Sequence, residues 1–322
     1  MPHRSREPRV LAAAPALALA VLLAACGRDA RPGADGTGPP SAPATSASAT
    51  VTPSPVASPS ATAPPTAAGP VTVIGVLGDY GVDGPAVRQV VAAMGRFSPR
   101  PLDAVVTTGD NAYTRGTAAQ AAFARSALAP LLRRGTPLYA SLGNHDEATA
   151  GGAAVMRALG MKARWYTALV GTVQLVVLDA NRTGDAAQLA FLRRVLAAPR
   201  PVAFRVVVFH QPAVSCSFHG PDPGVVRSWV PLFRNRVDLV LAGHNHTYER
   251  FRGEGGVTYV TTGGGGADLY PSLPTLCKGP GRIVLMRTVH HAVRLRATAD
   301  RLTVEAIGVD GRAFDSVALA RR

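Results

Sequence analysis

The chain has 322 residues, 47% hydrophobic and only 17% charged, so it can bury a sizeable core and is not disordered throughout. Its formal net charge is +14, and Lys162 and Lys278 are the only lysines, so arginine supplies nearly all of the excess. Those arginines are scattered and form no basic run interleaved with aromatics, which argues against nucleic acid as a partner and for a solvated surface that draws in small anions.

In chain order, Arg4, Arg6 and Arg9 precede an apolar run at 10–25 interrupted only by Pro15, too short to span a bilayer and read as an export signal. The run ends in Leu23-Ala24-Ala25-Cys26, which resembles the bacterial lipobox. Cleavage before Cys26 and lipidation of its thiol would leave an exported protein anchored to the membrane by lipid alone. An ordinary secretory signal with an incidental Cys26 is the alternative, and either puts the mature chain outside the cytoplasm. Residues 1–26 are assigned to this signal. Residues 27–70 are almost wholly Pro, Ser, Thr, Ala and Gly, a composition expected of a disordered tether. Residues 71–322 alternate apolar runs with turn signals and suit one larger α/β domain.

Strand-like runs at 71–77, 104–108, 137–142, 173–178, 204–209 and 237–242 each stop at a polar cluster, and helix-like stretches at 85–94, 118–132 and 186–196 lie between several of them. Such alternation predicts a layered α/β domain with its ligands at the carboxyl ends of the strands. Asp79, Asp110, Asn144, His145, His210, His244 and His246 stand at those ends, with His219 just beyond. Asp, Asn and His are hard or borderline ligands for divalent and trivalent metals. Asp179, also at a strand end, reads as a structural acceptor, and the His290-His291 pair in a late strand reads as surface. The glycines at 263–266 could bring backbone amides to a phosphate or act as a hinge. With Cys26 set aside, Cys216 and Cys277 are the internal pair, read as a disulfide in preference to two free thiols.

The blocks Gly78-Asp79-Tyr80-Gly81, Gly109-Asp110-Asn111-Ala112-Tyr113, Gly143-Asn144-His145-Asp146, His210 and Gly243-His244-Asn245-His246 resemble, in order, the five metallophosphoesterase blocks. Tyr113, three positions after Asp110, resembles the purple acid phosphatases rather than the wider calcineurin-like superfamily. The run from His210 to His219-Gly220-Pro221 is similar to the short tartrate-resistant acid phosphatase type. This likeness spans about 71–251.

The resemblance implies a four-layer α/β/β/α sandwich with two mixed β-sheets. It implies Fe(III) held by Asp79, Asp110, Tyr113 and His246, and a divalent Fe, Zn or Mn ion held by Asp110, Asn144, His210 and His244. Asp110 would then be the bridge, a role open to a carboxylate between cations ~3.5–4 Å apart. A metal-bound hydroxide would attack a small phosphate monoester. His219 would protonate the leaving group, and His145 would donate to the phosphate or serve as the alternative acid. A phosphodiesterase or nucleotidase on the same scaffold is the alternative. A non-catalytic wall-anchored binding protein is a third reading, less in keeping with an open ligand set. The Tyr248-Glu249-Arg250 run is assigned to positioning the site.

Overall fold

The computed structural model describes residues 70–322. The expected export signal, the lipobox Cys26 and all of the expected tether except Pro70 lie outside the described residues.

Strand β1 (Thr72–Leu77) is followed by helix α1 (Pro85–Met94), β2 (Ala104–Thr107), α2 (Ala118–Ala127), the single turn α3 (Ala129–Leu132) and β3 (Leu138–Ala140). Next come α4 (Asn144–Glu147), α5 (Ala153–Leu159), β4 (Tyr166–Val170), β5 (Val173–Val177), α6 (Ala186–Ala197) and β6 (Phe204–Val208). Helices α7 (Pro223–Ser228) and α8 (Val230–Phe233) lead to β7 (Leu239–Ala242), β8 (Tyr248–Gly253) and β9 (Thr258–Thr262). Strands β10 (Gly281–Arg287), β11 (His291–Ala297), β12 (Arg301–Gly308) and β13 (Ala313–Ala320) complete the chain.

The strands form two sheets, in the orders β13-β12-β11-β1-β2-β3 and β10-β8-β9-β7-β6-β5-β4. Both are mixed: β1, β2 and β3 run parallel, as do β5, β6, β7 and β9, with antiparallel strands flanking each set. Alternating side chains divide the core into three. Ile74, Val76, Val206, Val208, Leu241 and Leu295 mesh between the sheets. On the outer face of the first sheet Val73, Leu77 and Val105 pack on Val87, Val90 and Met94 of α1 and Ala121 and Ala124 of α2. On the outer face of the second, Val207 and Val240 meet Leu192 and Leu196 of α6, with Trp229 and Phe233. The result is the four-layer sandwich that the resemblance implies. Strands covered on both faces need apolar residues at every position, which is why they read as unbroken runs in the sequence. Each such buried Val, Ile or Leu contributes roughly 1.5–3 kcal/mol.

Three local expectations change. The helix expected at 118–132 breaks after Ala127, because Pro130 offers no N–H and its ring clashes with the carbonyl four residues back. Its start is a capping box in which Thr117 and Gln120 satisfy each other's backbone N–H. The strand expected at 137–142 shortens to three residues, leaving Ser141 hydrogen-bonded to Thr107 O as the chain turns toward Asn144. His291 is not on the surface: it opens β11, in the interior of the first sheet, and is fully buried against Tyr248 and Phe314. Its Nδ1–H donates to Val289 O at 2.9 Å, which leaves Nε2 to accept from the Thr262 hydroxyl at 3.0 Å. No helix among the described residues is long and apolar enough to cross a membrane.

Candidate metal centre

The loops after β1, β2, β6 and β7 are stitched together by main-chain hydrogen bonds. Asp79 N donates to Gly109 O at 3.0 Å, and Gly243 N donates to His210 O at 2.9 Å. The same loops hold Asp79, Asp110 and His244 at φ of 58°, 48° and 71°. For non-glycine residues such left-handed geometry costs on the order of 1–3 kcal/mol each, and clustering of it marks a functional site. Close packing also requires glycine at two positions. Gly109 has φ 95° and a Cβ there would lie 2.5 Å from His210 Nδ1, while a Cβ at Gly143 would collide with the Asp110 carboxylate.

Two ligand trios emerge, Asp110-His210-His244 and Asp79-Asp110-His246, each with its ligand atoms within 4.8 Å of one another. Asp110 is common to both. His210 donates Nδ1–H to Thr108 O at 2.8 Å, which turns Nε2 toward Asn144 Oδ1 at 3.1 Å and Asp110 Oδ2 at 3.3 Å. His246 is oriented the same way: Nδ1–H donates to Asp268 O at 2.7 Å, and Nε2 faces the Tyr113 hydroxyl at 2.9 Å and Asp79 Oδ1 at 3.5 Å. A carbonyl on the far nitrogen that fixes tautomer and ring direction is the usual arrangement behind a metal-ligating histidine. The residues present therefore fit two cations bridged by Asp110.

Without a cation, the same contacts set the charges of the site. Burial opposes charge on both Asp110 and His210, but their contact outweighs it: the Asp110 carboxyl is held well below its usual range and His210 is pushed up to about 9. His244 is pushed down to about 2 by burial and by His210 and His219, which keeps it a neutral donor. The Tyr113 phenol is driven far upward by burial and by Asp79 and Asp110, so ionising it takes a compensating cation.

The two proposed proton donors border this cluster. His145 Nε2 lies 3.9 Å from Asp110 Oδ2, and its Nδ1–H is spent on Thr114 O at 2.8 Å. The His219 ring is centred 4.4 Å from the His244 ring and is exposed, and burial and His246 lower its pKa. Its loop is fastened from below. Asn245 Oδ1 accepts from His219 N at 3.2 Å, and buried Glu249 accepts from the Ser215 hydroxyl, Cys216 N and the Ser272 hydroxyl. Of the run assigned to positioning, Glu249 thus serves the site, whereas Tyr248 and Arg250 bind Asp315 on β13. Cys216 and Cys277 are joined as a disulfide.

Asp179 accepts from Asn181 N and pairs with Arg164 at 2.8 Å, a structural acceptor as expected. Within the glycine run, Gly263 N donates to Thr247 O and Gly265 N to Gly78 O, so these two amides pack the loops after β1 and β7. Two residues escaped sequence reasoning. Asp146, the last residue of the Gly-Asn-His-Asp block, ties three backbone amides together, those of Asn111, Ala112 and Gly143. Tyr270 donates its hydroxyl to His244 O at 2.7 Å and packs its ring 4.4 Å from that of His246. It lies in an irregular segment with no periodicity to announce it.

A family model described as calcineurin-like phosphoesterase matches residues 72–248. Purple acid phosphatase 4 of Arabidopsis thaliana is 26% identical over 230 residues, covering 59% of this chain and 67% of the relative. Tartrate-resistant acid phosphatase type 5 of Homo sapiens is 37% identical over 79 residues, 24% of each chain. Among solved structures, GAP50, the anchor in the inner membrane complex of Plasmodium, superposes with TM-score 0.61 at 14% identity, covering 78% of this chain and 89% of that one. This last likeness concerns the fold alone.

Proposed function

Because the chain belongs to the calcineurin-like phosphoesterase family, whose acid phosphatase relatives support a metal-dependent phosphoric ester hydrolase, we propose that it hydrolyses phosphate monoesters at a dinuclear centre of purple acid phosphatase type. The observation that carries this reading is the sharing of Asp110 by two ligand trios. Asp79, Asp110, Tyr113 and His246 would hold Fe(III); Asp110, Asn144, His210 and His244 would hold a divalent Fe, Zn or Mn ion. Such a pair supplies Lewis acidity to the phosphoryl oxygens and acidifies water.

The chain's own groups do the rest. His145 Nε2 stands at the edge of the cluster; since Nδ1–H donates to Thr114 O, Nε2 gives a proton to a phosphoryl oxygen only when the ring carries both protons. Hydrolysis breaks the ester P–O bond and joins a water oxygen to phosphorus, so the departing alkoxide needs a proton. His219 is placed to give it, and its lowered pKa makes it a ready donor when charged. Tyr270 holds the backbone of His244 and one face of His246 in place.

The test is steady-state turnover by the metal-loaded protein of an aryl phosphate monoester beside the matching diester. Monoester hydrolysis at least as fast as diester hydrolysis is expected; diester preference would move the chain to the phosphodiesterase reading, and no turnover of either would reject the proposal. Export and lipid anchoring at Cys26 belong to the same reading, supported by the sequence before residue 27. The Cys26→Ser variant should leave the membrane fraction.

A further inference from the structure

Behind His219 lies a cavity of about 430 Å³ lined by His219, Gly220, Pro221, Arg227, Lys278 and Gly279 among others, and no carboxylate lines it. It shares a wall with the metal centre, since the His219 ring is centred 4.4 Å from the His244 ring. Its two cations come from distant parts of the sequence and are anchored to one loop. Lys278 pairs with Ser215 across a short bridge, donating N–H to Ser215 O at 2.8 Å and accepting from Ser215 N at 3.1 Å. The Cys216–Cys277 disulfide cross-links the neighbouring positions. Arg227 rides on α7, whose start is pinned by Asp222: its N–H donates to Pro212 O at 2.8 Å and its carboxylate accepts from Val225 N at 2.8 Å. Among the described residues, neither Arg227 nor Lys278 is neutralised by an ion pair.

We propose that this cavity is a second anion subsite, and that the preferred substrates are esters carrying two phosphate groups, one at the metal centre and one between Arg227 and Lys278. The proposal rests on the phosphomonoesterase reading and names its substrate class. Two un-neutralised cations in a concave site concentrate an anion there more than scattered surface charge does. Arginine adds a planar fork that matches phosphate geometry, and lysine a point charge.

A phosphate could reach this site as part of the substrate or as a free ion, and the test separates the two. Metal-loaded protein is assayed with glucose 6-phosphate and glucose 1,6-bisphosphate at low and high salt. The bisphosphate is expected to have the higher kcat/KM. Lys278→Ala and Arg227→Ala should each cut that preference by about fivefold at low salt, the size of an exposed ion pair, and by less at high salt. Arg312→Ala, at a distant exposed arginine, is the control for overall charge: an equal loss there would overturn the subsite. So would an unchanged preference in the Lys278 and Arg227 variants. If inorganic phosphate alters glucose 6-phosphate kinetics through Lys278 while the bisphosphate has no advantage, the cavity holds a free ion and the substrate proposal falls. Should neither ester turn over, the function reading fails alone, and calorimetric binding of the two sugar phosphates decides: tighter, Lys278-dependent binding of the bisphosphate upholds the subsite, and equal binding overturns it.

Discussion

Asp146 grips Asn111 twice, its Oδ2 accepting from the backbone N–H at 3.2 Å and from the side-chain amide at 2.7 Å, and so fastens the loop after β2 to the loop after β3. The same carboxylate accepts from Ala112 N at 2.9 Å and Gly143 N at 2.8 Å, with the whole group fully buried. Asp110 and Asn144 flank these anchor points, so the spacing of two candidate ligands depends on a residue that need not touch metal. Asp146→Ala strands several buried donors at once, and on the order of 3 kcal/mol of stability should be lost. Denaturant unfolding of the metal-free protein checks this; a loss below about 1 kcal/mol would show that the loops are held by something else.

Much of this was legible because ligands at strand ends leave a strong trace: an apolar run that stops at Gly-Asp, Gly-Asn-His or Gly-His-Asn-His. The glycines there are compelled by backbone approach, as at Gly143 against Asp110. What the sequence hid depends on pairing order. His291 looked like surface because β11 comes late in the chain, yet it pairs with β1 inside the sheet, and position in sequence says nothing about position in a sheet. Tyr270 was invisible for the opposite reason, since an irregular segment has no period from which a direction can be read.

Asp110→Asn should remove the ligand that, on the proposed reading, both metals share. Metal content should drop by at least one ion per chain, and kcat/KM should fall on the order of a thousandfold, because the metals' charge stabilisation of the transition state is worth several kcal/mol. Elemental analysis beside turnover measures both. Two retained metals with near-normal rates would show that Asp110 is not a bridge.

Tyr113→Phe tests the iron assignment by colour. A phenolate on Fe(III) gives the protein a broad visible charge-transfer band, and Phe cannot supply it. Burial and two carboxylates keep this phenol protonated without a cation, so the band reports ligation and not a stray ionisation. Activity should fall less than in Asp110→Asn, about tenfold, because tyrosine neither bridges nor passes a proton. An iron-loaded, active protein whose spectrum is unchanged by the substitution would exclude Tyr113 as a ligand.

Acid stability should turn on His291. Burial pushes its pKa down to about 4, whereas in the unfolded chain an imidazole titrates near ~6.5. Between those values the unfolded state binds the extra proton, so stability rises with pH there. The contribution is complete above ~6.5 and is lost as pH falls toward 4, amounting to about 3 kcal/mol at the acid end. Replacing the ring in His291→Gln should lower stability at neutral pH, because packing on Tyr248 and Phe314 is lost. It should also flatten the decline between pH 6.5 and 4, since no group at that position then titrates. Urea unfolding of both proteins at half-unit pH steps isolates the difference, in which the carboxylates common to both cancel. Parallel curves for the two proteins would mean that the buried imidazole is not what limits folding in acid, and the acid range open to the enzyme would have to be set elsewhere.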